Sequence, residues 1–142
     1  MIFLTVSVLA LSFPGCGKKE NTSDRTLRVG IVTYTQDDPF INTMTEQIRE
    51  DLKLKESKDM KILVSVKNGD NDQRDQDELV EEMIAAGCDV LCVNLVDRTA
   101  PSDIIKAARQ EKIPVIFFNR EPVKEDLMQW DQLYYVGCDA KQ

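Results

Sequence analysis

Five short apolar runs recur along the chain, and polar stretches separate them. The first run, at residues 27–33, is rich in β-branched side chains, which fit a buried strand. Similar runs follow at residues 60–66, 89–96, 113–118 and 133–136. The run at residues 89–96 is almost continuously apolar, which is typical of a strand covered by helices on both faces. The pattern therefore predicts a parallel sheet of five strands.

The stretches between the runs carry apolar residues at helical spacing. A first helix is predicted at residues 39–53, and a second follows a polar turn at residues 67–76 and ends at Gly87. A third begins after a cap at Thr99, and a short helix or irregular crossover occupies residues 121–132. Parallel neighbours need crossover connections, so the chain is expected to form a doubly wound, mostly parallel α/β sheet. One helical face is defined by four apolar residues: Ile41, Met44, Ile48 and Leu52.

Polar side chains follow the predicted strands at the points where the strands end. In an open parallel sheet, ligands bind at this carboxyl edge. Carboxylates, amides and a guanidinium pair with hydroxyl groups, and an aromatic ring covers the apolar side of a sugar ring, so the set suits a sugar. The residues concerned are Tyr34, Gln36, Asp37, Asp38 and Phe40 after the first strand, residues 68–72 after the second, Asn94 and Asp97 after the third, and Asn119 and Arg120 after the fourth.

Several of these residues also have a structural interpretation. Asp38 precedes Pro39, so it suits a helix cap as well as a ligand. Phe40 lies outside the apolar stripe of the first helix, which favours binding. Asn94 interrupts an apolar strand, so we expect it to hydrogen-bond a neighbouring loop. The acidic tract at residues 69–77 lacks the ligand order of a calcium loop and is predicted to be a solvated turn.

The composition narrows the function further. The 142-residue chain is 42% hydrophobic and 30% charged, which is typical of one globular domain. Its formal net charge of −7 argues against nucleic acid or an anionic membrane surface as a partner, because both bind basic patches. The sequence contains no histidine and no motif for a phosphate, a dinucleotide or a serine nucleophile. We therefore predict that the protein is not an enzyme.

The amino-terminal residues 1–15 are apolar and precede Cys16 and two lysines, as in a lipoprotein signal. This predicts lipidation of Cys16, a polar tether at residues 16–26 and a folded lobe at residues 27–142. Cleavage without lipid and a buried amino-terminal segment are the alternatives. The expected location is the periplasm or cell envelope, with membrane contact only through the lipid anchor.

Three further cysteines, Cys88, Cys92 and Cys138, are an odd number, so no complete disulfide framework is implied. On an extended strand, Cys88 and Cys92 would lie roughly 13 Å apart, beyond the reach of a disulfide. We expect buried thiols.

Five segments taken together resemble the galactose/glucose-binding proteins of bacterial ABC sugar importers, within the type I periplasmic-binding-protein fold. They occur in the order found in that family and cover almost the whole chain after the signal. The segments are VGIVTYTQDDPF at residues 29–40, NDQRDQ at 71–76, CVNLVD at 92–97, IPVIFFNREP at 113–122 and YYVGCDAKQ at 134–142.

The resemblance implies a role for each residue of a sugar site. Asp38 and Asn119 would hydrogen-bond sugar hydroxyls, Phe40 would stack on the ring, and Tyr34 would line the site. Arg120 stands where the family often has a lysine. The implied partners are galactose or glucose, the membrane subunits of an ABC transporter and a chemoreceptor. No cofactor is implied, since the calcium site of related proteins would lie in a second lobe.

The resemblance covers only the amino-terminal lobe of that fold, because residues 136–139 are similar to the first crossing between the two lobes. A lobe without the opposing wall is expected to bind sugar weakly or not at all. The alternatives are a nonfunctional remnant, marked by exposed apolar surface on the last strand, and the effector lobe of a sugar-responsive repressor. Such repressors carry a basic DNA-binding segment where this chain has an apolar one.

Overall fold

A computed structural model describes residues 25–138 and shows one sheet of five parallel strands. The order across the sheet is β2-β1-β3-β4-β5, so the chain starts inside the sheet and winds outwards in both directions. The doubly wound sheet is therefore confirmed. The strands are β1 (Arg25–Thr33), β2 (Met60–Asn68), β3 (Val90–Val93), β4 (Val115–Phe118) and β5 (Leu133–Val136).

Four helices connect the strands, and local sequence sets their ends. Pro39 begins the first helix, where its missing N–H group costs nothing. Gly87 follows the second helix with a φ of 79°, the left-handed conformation that glycine adopts most readily. The helices are α1 (Pro39–Leu54), α2 (Gln73–Ala85), α3 (Ser102–Glu111) and α4 (Lys124–Leu127).

The helices cover opposite faces of the sheet. On one face, Met44 and Ile48 of α1 pack against a cluster that includes Val29 and Ile31 of β1. On the other face, α2 and α3 contribute to a larger core that also contains Phe117 of β4. The buried members of that core include Val32, Val80, Leu91, Val93, Ile104, Ile105 and Val115.

The last strand is less well covered than the central strands. Tyr134 and Val136 of β5 are 51% and 63% exposed. Val136 pairs with Phe118 of β4, and Tyr134 pairs with Ile116. Both side chains therefore lie on the sheet face that α1 covers farther along, because paired residues of parallel strands share a face. An apolar strip on β5 is thus open to solvent.

Three predicted boundaries are corrected. β1 begins at Arg25, two residues earlier than predicted, since the N–H of Arg25 donates to Asp59 O at 3.0 Å. β3 covers only Val90–Val93, because the chain beyond it turns to bond α2. The turn predicted at residues 67–76 is shorter: β2 continues to Asn68, and α2 begins at Gln73. Asp72 makes this early start possible by accepting hydrogen bonds from the second and third helical N–H groups.

The predicted cap at Thr99 is wrong. Helix α3 begins at Ser102, and within the described chain its first turn has no side-chain cap. The backbone N–H and hydroxyl of Thr99 instead donate to Asp97 Oδ1, at 2.8 and 2.7 Å. The amide hydrogen bond is the main cause that lowers the pKa of Asp97. Thr99 therefore closes a turn before the helix.

The cysteines of the described segment differ in burial. Cys88 is buried and Cys92 is partly buried, whereas Cys138, for which no burial was predicted, is exposed. Burial raises the pKa of Cys92 to about 11, so its thiol is protonated near neutral pH. All three are free thiols.

Other sequence predictions concern residues 1–24 and 139–142, which lie outside the described residues. They include the signal, the lipidation of Cys16, most of the tether and the end of the crossing. Among residues 25–138, no helix is both long and apolar enough to span a bilayer. The same range holds no cluster of three acidic, cysteine or histidine side chains placed to bind a metal.

Candidate functional site

Asp38 is the first polar residue of the candidate site, and the β1–α1 connection fixes both of its oxygens. Its Oδ1 accepts hydrogen bonds from the N–H groups of Phe40 at 2.9 Å and Ile41 at 3.4 Å, so Asp38 caps α1. Its Oδ2 accepts the Tyr34 hydroxyl at 2.6 Å. The bond from Tyr34 is the main cause that lowers the pKa of Asp38, and it raises the pKa of Tyr34. At neutral pH the pair is therefore a carboxylate beside a phenol.

Phe40 presents an aromatic ring to solvent beside this carboxylate. It is the second residue of α1, and its side chain is 59% exposed. The next residue, Ile41, is fully buried. The first turn of α1 thus divides its apolar residues between the core and the surface, as the predicted stripe indicated.

Arg120 joins the ends of three strands. Its guanidinium carbon lies 3.7 Å from the centre of the Tyr34 ring, a cation–π contact. Its Nη1 donates to the carbonyl oxygens of Leu95 at 3.2 Å and Val96 at 2.9 Å. One arm of the guanidinium is therefore engaged by the protein, while the group retains other N–H donors.

The backbone of Asn119 is held by hydrogen bonds, whereas its side chain is available to a ligand. Its φ of 61° is left-handed, a conformation that asparagine tolerates better than most residues. The N–H donates to Val136 O at 3.0 Å, and the carbonyl accepts the Tyr135 hydroxyl at 3.2 Å. No residue from 25 to 138 forms a hydrogen bond with the Asn119 side-chain amide. This amide is therefore able to bind a ligand.

The structure places all five predicted site residues at the carboxyl edge of the sheet. Tyr34, Asp38 and Arg120 are joined by direct contacts, Phe40 is bonded to Asp38 through its amide, and Asn119 adjoins Arg120 in sequence. Only β3 separates β1 from β4, a span of two strand spacings, about 10 Å. No direct bond links Phe40 to Asn119 within the described chain.

Gln76 is a residue of this edge that the sequence prediction missed. It was assigned to a solvated turn, yet it is fully buried in α2. Its Nε2 donates to Asn94 O at 3.0 Å, and its Oε1 accepts the N–H of Val96 at 2.9 Å. One turn earlier, Gln73 accepts the N–H of Asp97 at 2.8 Å. The spacing of the two glutamines, one helical turn apart, is the only sequence signal for this contact.

Asn94 behaves as predicted. It is fully buried, and its Nδ2 donates to Phe118 O at 3.1 Å, so it bonds the neighbouring strand end. The nearby β2–α2 turn is also bonded to the first loop, because Asn71 donates through its backbone to Tyr34 O at 2.7 Å and through its side chain to the Thr35 hydroxyl at 3.2 Å. The loops at this edge therefore hold one another in place.

A separate groove of about 570 Å³ lies away from this edge, between α1 and the edge strand β2. Its floor includes Ile62 and Val64, and its rim is charged. None of the five predicted residues lines it. Its lining residues are Glu46, Arg49, Glu50, Lys53, Leu54, Ile62 and Val64.

Comparison with protein families gives a match over most of the chain. The model for the periplasmic binding protein domain matches residues 29–142. The D-galactose/methyl-galactoside binding periplasmic protein of Haemophilus influenzae is 34% identical over 115 residues, which are 81% of this chain and 34% of that protein. The ribose import binding protein of Bacillus subtilis is 26% identical over 125 residues, which are 84% of this chain and 39% of that protein. The chain therefore spans roughly a third of these curated relatives.

Solved structures give the same fold. A carbohydrate transporter solute binding protein from Chloroflexus aurantiacus, in complex with D-glucose, aligns with a TM-score of 0.63 and 28% identity, over 81% of this chain and 31% of that chain. The fructose binding periplasmic domain of a hybrid two component system aligns with a TM-score of 0.65 and 23% identity, over 80% of this chain and 34% of that chain. The second match bears on the fold alone.

Proposed function

Because the chain belongs to the periplasmic binding protein domain family, we propose that it forms part of the sugar-binding component of an ABC-type importer. Its carboxyl sheet edge supplies one wall of the sugar site. The chain has the type I periplasmic binding protein fold over the part of it that the sheet represents. The proteins that it resembles are binding proteins rather than enzymes, which agrees with the absence of a catalytic motif.

The observation that carries the proposal is the exposed ring of Phe40 beside the ionised carboxylate of Asp38. A sugar has one apolar C–H face and a rim of hydroxyls, so a carboxylate at the cap of a helix and an aromatic ring at its second residue match both features. Asp38 Oδ2 accepts from Tyr34 and keeps a second lone pair for a hydroxyl. Across the edge, donors are supplied by the Asn119 amide, which has no hydrogen-bond partner among residues 25–138, and by the remaining N–H groups of Arg120.

The proposed ligand is galactose or glucose. A galactoside-binding relative and a structure with bound D-glucose support a hexose. A relative named for ribose import supports the broader class of monosaccharides. A neutral sugar agrees with the site, because the charges of the Asp38 carboxylate and the nearby Arg120 guanidinium offset each other.

The proposed location is the periplasm or cell envelope, with a lipid on Cys16 as the anchor. The names of the relatives support the compartment, and the cysteine after an apolar run supports the anchor. The membrane subunits of the importer are the proposed partners. A chemoreceptor is a further proposed partner, which rests on the family resemblance alone.

Calorimetric titration of the 142-residue chain with D-galactose and D-glucose tests the proposal through Phe40→Ala. Removing the ring should weaken hexose binding about tenfold, the value of a stacking contact. The matched control is Leu54→Ala, which removes another exposed apolar side chain, 82% exposed, from the far end of the same helix. The control should bind as the parent does.

Equal hexose affinity for the parent and Phe40→Ala would count against the site. The absence of saturable heat with either hexose, from a parent chain that circular dichroism shows to be folded, is instead the result expected of a lobe that lacks the opposing wall.

A further inference from the structure

Asn94 is an uncommon residue for its place in the fold. It follows the central strand β3, directly among apolar neighbours, and it is completely inaccessible to solvent. Its Nδ2 donates to the carbonyl of Phe118 at 3.1 Å. Its Oδ1 is also buried, and it has no hydrogen-bond partner within residues 25–138. A buried amide with one unpaired oxygen costs stability, which indicates that the hydrogen bond made by its NH₂ group has a role that offsets this cost.

That other half bonds the turn that presents Asn119. The carbonyl of Phe118 accepts two hydrogen bonds, from Asn94 and from the N–H of Arg120 at 2.7 Å. Between Phe118 and Arg120 lies Asn119, with its left-handed φ of 61°. A non-glycine residue keeps such a conformation only where its surroundings determine it. The hydrogen bond from Asn94 to Phe118 O is one contact that holds Asn119 in this conformation.

The backbone of Asn94 is itself fixed by hydrogen bonds on both sides. Its N–H donates to Val32 O at 2.9 Å, and its carbonyl accepts Nε2 of Gln76 at 3.0 Å. Gln76 is fully buried and also accepts the N–H of Val96. Hydrogen bonds to β1 and α2 therefore set the position of Asn94. Through its side chain, Asn94 in turn bonds the end of β4.

We propose that Asn94 is a positioning residue of the sugar site, whose buried amide holds the Phe118–Asn119 turn so that the Asn119 side chain stays free for the ligand. The role in binding rests on the proposed function above, whereas the hold on the turn does not. Because Oδ1 has no donor, the amide group is paired in only one orientation, with its NH₂ towards Phe118 O. The position requires a donor at one end and tolerates an apolar atom at the other.

Asn94→Leu separates this role from a general one in stability. The leucine has nearly the same shape, removes the donor and also removes the unpaired Oδ1, so the unfolding midpoint should stay close to that of the parent. Hydrogen exchange of the Asn119 amide, which is bonded to Val136 O, should become about tenfold faster, the equivalent of one net hydrogen bond. Exchange of the Ile31 amide in the interior strand β1 should not change.

Two further variants sharpen this test. Asn94→Asp places a carboxylate oxygen against Phe118 O and should accelerate exchange at Asn119 more than Asn94→Leu does. The matched control is Asn42→Leu, which removes another amide that donates to a backbone carbonyl, that of Gln36 at 2.7 Å. This control should leave exchange at Asn119 unchanged. Equal acceleration at Asn119 and Ile31, or none at Asn119, would overturn the proposal.

A double-mutant cycle tests the consequence for binding. Asn119→Gly keeps the left-handed turn without strain and removes the side chain. Asn94→Leu should weaken hexose binding several-fold in the parent and have no effect in the Asn119→Gly background, because it acts through that side chain. Equal weakening in both backgrounds would contradict the mechanism. Equal hexose affinity for the parent and Phe40→Ala would count against the proposed function, while exchange at Asn119 would still decide whether Asn94 holds the turn.

Discussion

The two sides of the candidate site, the Asp38 loop after β1 and the Asn119 turn after β4, are built in different ways. Asp38 is fixed by residues no more than four positions away, through the cap of α1 and the Tyr34 hydroxyl. Asn119 is fixed from a distance, since Asn94 and Val136 hold its turn from other strands. The first side therefore depends on local sequence, and the second depends on the assembled sheet.

Arg120 connects the two sides. It adjoins Asn119 in sequence, lies over the ring of Tyr34 and bonds the carbonyls that follow β3. The loop that forms locally is thereby tied to the turn that forms only with the fold. Substitutions in the Asp38 loop and in the supports of the Asn119 turn test how far the two sides depend on each other.

The largest effect is expected from Gln76→Ala, which removes support from the long-range side. The substitution leaves the carbonyl of Asn94 and the N–H of Val96 buried without their partner. We expect a loss of about 3 kcal/mol in the free energy of unfolding, because each orphaned group has a desolvation cost. Denaturation in urea measures this loss.

The matched control is Gln47→Ala, which removes an exposed glutamine whose amide donates to Asp51 Oδ1 at 3.1 Å. It should change the free energy of unfolding by less than about 0.5 kcal/mol. Equal losses for the two variants would show that the buried amide of Gln76 does not support the edge. The comparison between the two sides of the site would then fail.

A smaller effect is expected at the local side, and it depends on pH. The pKa of Asp38 lies below its ordinary value of 3.8, chiefly because of the hydrogen bond from Tyr34. A carboxylate whose pKa is lower in the folded state contributes stability above its unfolded pKa, and this contribution is lost as the pH falls through the folded pKa. Protonation of Asp38 should therefore lower the thermal unfolding midpoint of the parent as the pH falls below about 4.

Asp38→Asn is the control for this dependence. Asparagine also caps helices well but does not ionise in this range. Its midpoint should decline less than that of the parent between about pH 5 and about pH 2. Parallel declines in the two proteins would contradict the assignment of the Tyr34 bond as a source of stability.

The same division explains what the sequence could predict. Apolar runs and helical spacing located all five strands and the helices, because both periodicities are local. The Asp38 cap followed from its place before Pro39, and Gly87 followed from its place after a helical stripe. Asn94 was expected to bond a neighbouring loop because a polar group inside a strand needs a partner.

What escaped the sequence depends on distant partners. Gln76 was placed in a solvated turn, because its bonds reach residues 18 and 20 positions away. The engagement of Arg120 with Tyr34, Leu95 and Val96 was also not foreseen, since it requires three strand ends to meet. Thr99 has the chemistry of a helix cap but closes an earlier turn with Asp97, and only the fold decides between these two uses.

The measurement that tests most directly whether the two sides form one sugar site is an NMR titration of the isotope-labelled 142-residue chain with D-galactose. Backbone amide shifts report each residue separately and detect weak binding. The account predicts that the amides of Phe40 and Asn119 shift together with a common midpoint. Shifts confined to one side, or to the groove at Ile62 and Val64, would contradict it.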